Sequence, residues 1–179
     1  MTFRHSYLGF AVVLVMLSSI ISCSTIAPDV DEMMDPDETD PIGTAPDFTL
    51  TSVDGVEVTL ADFSGKPLVI FFFGNGCPLC ISSSPKIQSK ITNAFSSNDM
   101  AIIGIDTWDG NQSSVINFRN NSGLSFDLLL EGSTVAADYS TTYDRLIVIN
   151  GKGEIVFQGT SAAGKDVDKV ATILTNLIN

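Results

Sequence analysis

The sequence predicts an α/β domain with a mixed central sheet flanked by helices. Three apolar runs, 68–73, 101–105 and 146–149, are rich in β-branched and aromatic residues, the pattern of strands covered on both faces. Segments with helical spacing follow the first two. The third run turns through Asn150-Gly151-Lys152-Gly153 into 154–157 as a hairpin, and a helical segment ends the chain.

A length of 179 residues suits one globular domain, and 44% hydrophobic with 17% charged residues suits a folded one. Twenty-one acids against nine bases, a net charge of -12, argue against nucleic acid as a partner, because phosphate binding needs clustered Lys and Arg. The single His is His5. If the N-terminus is removed no His remains, which excludes a Ser-His-Asp triad, a Cys-His pair and a His-ligated metal.

The N-terminus has the pattern of an export signal. Arg4 precedes an apolar run over 8–17, and small residues lead to Cys23. That run is short for a membrane span, which needs about 20 residues. Ile20-Ile21-Ser22-Cys23 resembles the bacterial lipobox, and the resemblance implies cleavage before Cys23 and its lipidation. The alternative is an ordinary signal peptide or anchor. The expected organisation is a signal over 1–22, a lipidated acidic linker over 23–41 and the domain over 42–179. The linker holds seven acids between Asp29 and Asp40, together with Pro28, Pro36 and Pro41. Repulsion and proline keep such a stretch extended. It lacks the Gly and Glu of an EF-hand loop, so a tether is favoured over a calcium site. The domain from 42 onward carries a net charge of -6.

Within the domain, 48–50 and 56–59 read as short strands around Asp54-Gly55. Gly65-Lys66-Pro67 introduces the strand 68–73. Helices are expected over 78–95, over 113–121 and in the C-terminal segment. There Val167, Val170, Ala171, Leu174 and Leu177 share a face, and Asp166 and Asp168 occupy the first turn.

Cys77-Pro78-Leu79-Cys80 is the only C-x-x-C. It falls where a buried strand gives way to a helix. At a helix N-terminus, unpaired N–H groups and the positive end of the dipole stabilise a thiolate. Pro78 suits the first turn because it has no N–H to leave unpaired. Cys80, one turn on, is placed to attack a mixed disulfide. The competing readings are a structural disulfide, a zinc site and two inert buried thiols. The first would close almost no loop. The second lacks further ligands, so no metal is expected.

With these landmarks the sequence resembles the thioredoxin fold, and within it the TlpA/ResA-like, redoxin (AhpC/TSA-related) branch of membrane-anchored bacterial proteins. Ala45-Pro46-Asp47-Phe48-Thr49-Leu50 resembles that family's opening. The stretch 60–70 resembles its approach to the active site. Pro85 falls where the family has a helix proline, 118–130 resembles its helix–strand insert, and 147–155 resembles its late hairpin. The resemblance implies thiol-disulfide exchange by Cys77 and Cys80 with protein thiols and disulfides. It implies no cofactor, a membrane electron donor, and a lipid-anchored location in the bacterial envelope facing the periplasm or cell exterior.

Three positions depart from the family. Gly76 stands where Trp usually precedes the first Cys. Phe71 stands where some thioredoxins bury an acid. Asp144 falls at or beside the place of the proline that faces the disulfide, so a trans peptide is expected there. Gly76, Pro78, Tyr143, Asp144 and Arg145 are therefore candidate active-site loop residues. Arg145 is a candidate for lowering the Cys77 pKa, the alternative being a solvated strand-edge residue. Trp108 and Asp106 are read first as a packing residue and a cap, and second as a groove rim. Two other functions compete. A peroxiredoxin-like peroxidase is disfavoured by Ile70 and Gly74, which replace the expected motif residues. A non-catalytic binding lipoprotein is kept open by the departures, behind the exchange reading.

Overall fold

The computed structural model describes residues 40–179. The signal over 1–22, Cys23 and all but the last two residues of the linker lie outside the described residues. The elements run β1 (Gly43–Thr44), β2 (Thr49–Thr51), β3 (Glu57–Thr59), β4 (Leu68–Phe73), α1 (Pro78–Ile87), β5 (Ala101–Asp106), α2 (Gln112–Ser122), β6 (Asp127–Leu129), α3 (Ser133–Asp138), β7 (Arg145–Ile149), β8 (Glu154–Gln158) and α4 (Ala163–Ile178). A 3₁₀ turn at Leu60–Phe63 and a π-type turn at Gln88–Thr92 complete the chain.

Six strands form one sheet in the order β1-β8-β7-β4-β5-β6, while β2 and β3 form a separate hairpin. β4 is central, parallel to β5 and antiparallel to β7. Its six apolar residues are all buried because both faces are covered. Val69, Phe71 and Phe73 enter the layer that holds Cys77, Cys80, Phe118, Ala163 and Val167. Leu68, Ile70 and Phe72 enter the opposite layer with Phe48, Val135 and Tyr139. Fully burying each such side chain contributes about 1.5–3 kcal/mol. Phe73 also stacks on Phe118, with centroids 4.3 Å apart, so the last residue of β4 is anchored before the chain enters the active-site turn.

The helices begin and end on local chemistry. The Asn111 side chain accepts from Ser114 N at 3.0 Å to cap α2, and Gly123 ends that helix at φ 69°, a conformation glycine adopts without Cβ strain. The helix expected over 78–95 is shorter. α1 contains Pro85 and keeps α geometry only to Ile87, then passes into the π-type turn. β1 and α3 are additions to the expected elements. β1 is two residues long and exists only by pairing Gly43 and Thr44 with Ile155 and Glu154. α3 is six residues long, with no side-chain cap of its own at Gly132.

Candidate active site

The site is assembled at the C-terminal ends of β4 and β5. After Phe73, Gly74-Asn75-Gly76 turns the chain so that Cys77 N donates to Gly74 O at 2.9 Å. Cys77 is the N-cap of α1 and Pro78 occupies its first position. The helix therefore presents Cys80 N to the Cys77 sulfur, at 3.1 Å, a donor that favours sulfur carrying negative charge. Cys77 and Cys80 form a disulfide, with Cα atoms 5.3 Å apart. Ser84 Oγ donates to Cys80 O at 2.7 Å. Both cysteines are buried, and Cys80 is 0% exposed.

Asp106 organises the neighbouring loop. In the parallel register Phe73 pairs with Asp106, so this side chain emerges beside the turn that precedes Cys77. It is 0% exposed. Its carboxylate accepts from Asn75 N at 3.0 Å, Asn75 Nδ2 at 2.9 Å, Trp108 N at 3.3 Å and Gly110 N at 2.7 Å. Thr107 adds two bonds to Phe73 O, from N at 2.8 Å and from Oγ1 at 3.1 Å. Asp109 fixes the far side of the loop by accepting from Ser133 N at 3.0 Å and Ser133 Oγ at 2.6 Å. Asp106 is thus a clamp between two loops, beyond the cap expected of it.

The clamp sets the position of Trp108. Its indole covers Gly74 so closely that a Cβ on Gly74 would collide with the ring, and a Cβ on Gly76 would sit 3.6 Å from it. Trp108 remains 47% exposed and meets Tyr143 edge-on, with centroids 5.2 Å apart. The first reading, a packing residue, has the turn itself as its partner. An indole from the β5 end thereby covers the turn that contains Gly76, where the resembling family places Trp. Exposed Leu79 follows Pro78 within the C-x-x-C.

Of the expected loop residues, Tyr143 lies against Trp108. Asp144 has φ 56°, in the left-handed region, and no peptide among the described residues is cis. Its carbonyl accepts from Ala163 N at 2.9 Å and from Arg145 Nη1 at 2.9 Å. The Arg145 guanidinium is therefore engaged with the neighbouring carbonyl. Among the described residues, both Asp144 carboxylate oxygens are buried without a hydrogen-bond partner. No cluster of three or more His, Cys, Asp or Glu suited to a metal occurs among the described residues. A cavity of mixed lining, with Phe63, Phe95 and Met100 beside Lys66, Ser97 and Asp127, opens near the start of β5, without contributions from the cysteines.

The Asn75–Asp106 clamp is absent from the sequence reading. The apolar runs 68–73 and 101–105, each giving way to polar residues, were its one available trace.

A C-x-x-C disulfide opening the helix that follows the central strand of a mixed sheet defines a thioredoxin-like domain. The AhpC/TSA family profile matches residues 42–158, and the chain belongs to that family. Among curated relatives, the thioredoxin-like protein YneN of Bacillus subtilis is 25% identical over 62% of this chain and 66% of its own length. The thiol-disulfide oxidoreductase ResA of Bacillus thuringiensis is 27% identical over 64% of this chain and 66% of its own length. The chain thus spans just under two thirds of these relatives. Among solved structures, a Bacteroides thetaiotaomicron protein proposed to be a disulfide isomerase superposes with a TM-score of 0.69 at 28% identity, over 76% of this chain and 88% of that one. The thioredoxin domain of a Bacteroides vulgatus thiol-disulfide oxidoreductase has the same fold, with a TM-score of 0.62 at 22% identity over 74% of this chain and 98% of that one.

Proposed function

We propose that this protein is a thiol-disulfide oxidoreductase acting on protein substrates through Cys77 and Cys80. The observation that carries the reading is the Cys77–Cys80 disulfide at the N-terminus of α1, with Cys80 N directed at the Cys77 sulfur. As a reductant, the Cys77 thiolate attacks a substrate disulfide and forms a mixed disulfide. Cys80 then attacks the Cys77 sulfur, the substrate leaves as a dithiol, and the oxidised pair remains. A membrane-bound dithiol donor restores the pair. Trp108, Tyr143 and Leu79 supply an exposed apolar rim for the substrate chain, and exposed Gly76 and Pro78 flank Cys77. The lipobox-like Ile20–Cys23 motif supports a lipid anchor at Cys23 and an extracytoplasmic location, with the acidic linker as tether.

Insulin reduction by the reduced protein tests the exchange, with turnover expected for the unaltered chain and none for Cys77→Ser. Rapid peroxide consumption with slow insulin reduction would favour the peroxidase reading instead. Normal cellular function of Cys77→Ser would favour the binding-module reading. The equilibrium potential of the pair sets direction, about -270 mV for a thioredoxin-like reductant against about -120 mV for an oxidant.

A further inference from the structure

Among the described residues five large apolar side chains are exposed, and three of them, Leu79, Trp108 and Tyr143, gather at the cysteine pair. Such a concentration marks a contact surface. Trp108 is its fixed point. One face of the indole lies on Gly74, its far ring reaches the Gly76 position, and Tyr143 meets it edge-on. The backbone beneath it is held by Asp106, which accepts from Trp108 N and Gly110 N. The part left open, 47% of the residue, is therefore the outer face of the ring, beside the residue that precedes Cys77.

Two carboxylates flank the loop that carries this indole. Asp109 follows Trp108 directly and is exposed. Its carboxylate is fixed by Ser133 N at 3.0 Å and Ser133 Oγ at 2.6 Å, and each oxygen keeps a further lone pair. Glu131 is also exposed. The next amide, Gly132 N, donates to Asp106 O at 2.8 Å, which seats the Glu131 loop on the end of β5. Asp109 and Glu131 both hold left-handed backbone, at φ 48° and 55°. A non-glycine residue there carries strain, and such strain gathers at ligand clamps. The ion pairs among the described residues join Asp168 to Lys86 and Lys90, and Asp54 to Arg119. Asp109 and Glu131 are in none of them. The rim stretches 74–79, 107–111, 131–133 and 140–143 contain no Lys or Arg. Arg145, just beyond them, directs Nη1 to Asp144 O at 2.9 Å.

An open indole face beside an unpaired carboxylate is complementary to a cation. A Lys or Arg side chain laid over Trp108 covers the ring with its methylene stem. Its charged end gains the attraction of the ring, which is strongest for Trp, and that of the Asp109 carboxylate. A neutral side chain would use the ring alone, and an acidic one would be repelled.

We propose that Trp108 and Asp109 form a specificity subsite for a cationic side chain next to the substrate cysteine. The inference rests on the exchange reading and names the substrate class of that site, polypeptides with Lys or Arg beside the reacting cysteine. Glu131 adds attraction at longer range.

The test uses short peptides of one sequence, each with a single cysteine carried as its mixed disulfide with thionitrobenzoate. Lys, Gln or Glu stands before the cysteine in one set and after it in another. The Cys77 thiolate of the reduced protein attacks the peptide sulfur, a Cys77–peptide disulfide forms, and thionitrobenzoate leaves with the electron pair. Its colour gives the rate, which is divided by the rate of the same peptide with free dithiothreitol. In one of the sets the Lys peptide should react about fivefold faster than the Gln peptide, the scale of an exposed cation–π contact, and the Glu peptide should be slowest. The gain should lie in KM. At about 1 M salt, where the screening length is about 3 Å, the Glu penalty should fade. Trp108→Leu should bring the Lys-to-Gln ratio within about twofold. Asp109→Asn, which tolerates the left-handed backbone and keeps an acceptor for Ser133 N, should lower that ratio and erase the Glu penalty. Equal rates for Lys and Gln peptides in both sets would overturn the proposal, and so would a Lys preference that survives Trp108→Leu. If Trp108→Leu fails to fold, Asp109→Asn decides, and an unchanged ratio there refutes the subsite. Release of thionitrobenzoate from no peptide by the unaltered protein would instead remove the exchange reading itself.

Discussion

Replacing Asp106 with alanine removes an acceptor that four donors share. The Gly110 N bond at 2.7 Å and the Asn75 Nδ2 bond at 2.9 Å are short, the Asn75 N bond is 3.0 Å, and the Trp108 N bond is long at 3.3 Å. A hydrogen bond to a charged group contributes about 1.5–3 kcal/mol. The donors are only partly buried, so water repairs part of the loss, and two full bonds at the lower figure give about 3 kcal/mol. For a domain of this size that is a fall of about 10 °C in Tm. Asp106→Asn keeps one acceptor but turns an amide N–H toward existing donors, so it should lose nearly as much. Urea unfolding measures the stability. Trp108 is the only Trp in the chain, so its fluorescence reports the loop directly. Its emission should shift to the red in the folded variant as the indole lifts from Gly74. A stability loss below about 1 kcal/mol, the scale of one ordinary hydrogen bond, with unshifted emission would refute the clamp.

Three further outcomes follow from contacts elsewhere. Gly74→Ala should displace the Trp108 ring and cost about 1–3 kcal/mol as overpacking, and a double-mutant cycle with Trp108→Ala should recover most of it, whereas strict additivity would show that the two do not touch. Hydrogen bonds from Lys90 and Lys86 hold the Asp168 carboxyl down from 3.8 to about 2, so its contribution is present above pH 3.8 and is lost as pH falls toward 2. Acid titration of Asp168→Asn should lack that part of the unfolding profile, and an unchanged profile would argue against the bridge between the α1 region and α4. Burial, with Asp47 nearby, pushes the Tyr139 phenol up from 10. The fold therefore favours the neutral phenol, and stability falls as pH rises above 10. Tyr139→Phe should remove that alkaline loss while sacrificing the 2.8 Å bond to Pro46 O, about 1 kcal/mol near neutral pH. Unfolding in alkali that matches the unaltered protein would count against it.

The strands 68–73 and 101–105 were legible because a continuous apolar run has few homes other than a sheet covered on both sides. The hairpin at 150–153 and the cysteine pair at a helix start were legible because each depends only on neighbours in sequence. β1 and α3 were not legible. Two residues acquire strand character only from β8, and α3 has six residues, too few to show a helical period.

What the sequence determined by itself was the order of strands and helices and the place of Cys77 and Cys80 at a helix start, because turn residues, strand composition and a helix N-terminus are local properties. Tertiary structure alone decided what surrounds that chemistry. The parallel pairing of Phe73 with Asp106 brings a carboxylate from 31 residues away to Asn75. The same pairing carries Trp108 over Gly74, and the packing of β7 against α4 buries the Asp144 carboxyl without a partner among the described residues. Each depends on register across a crossover, which no local pattern of residues encodes.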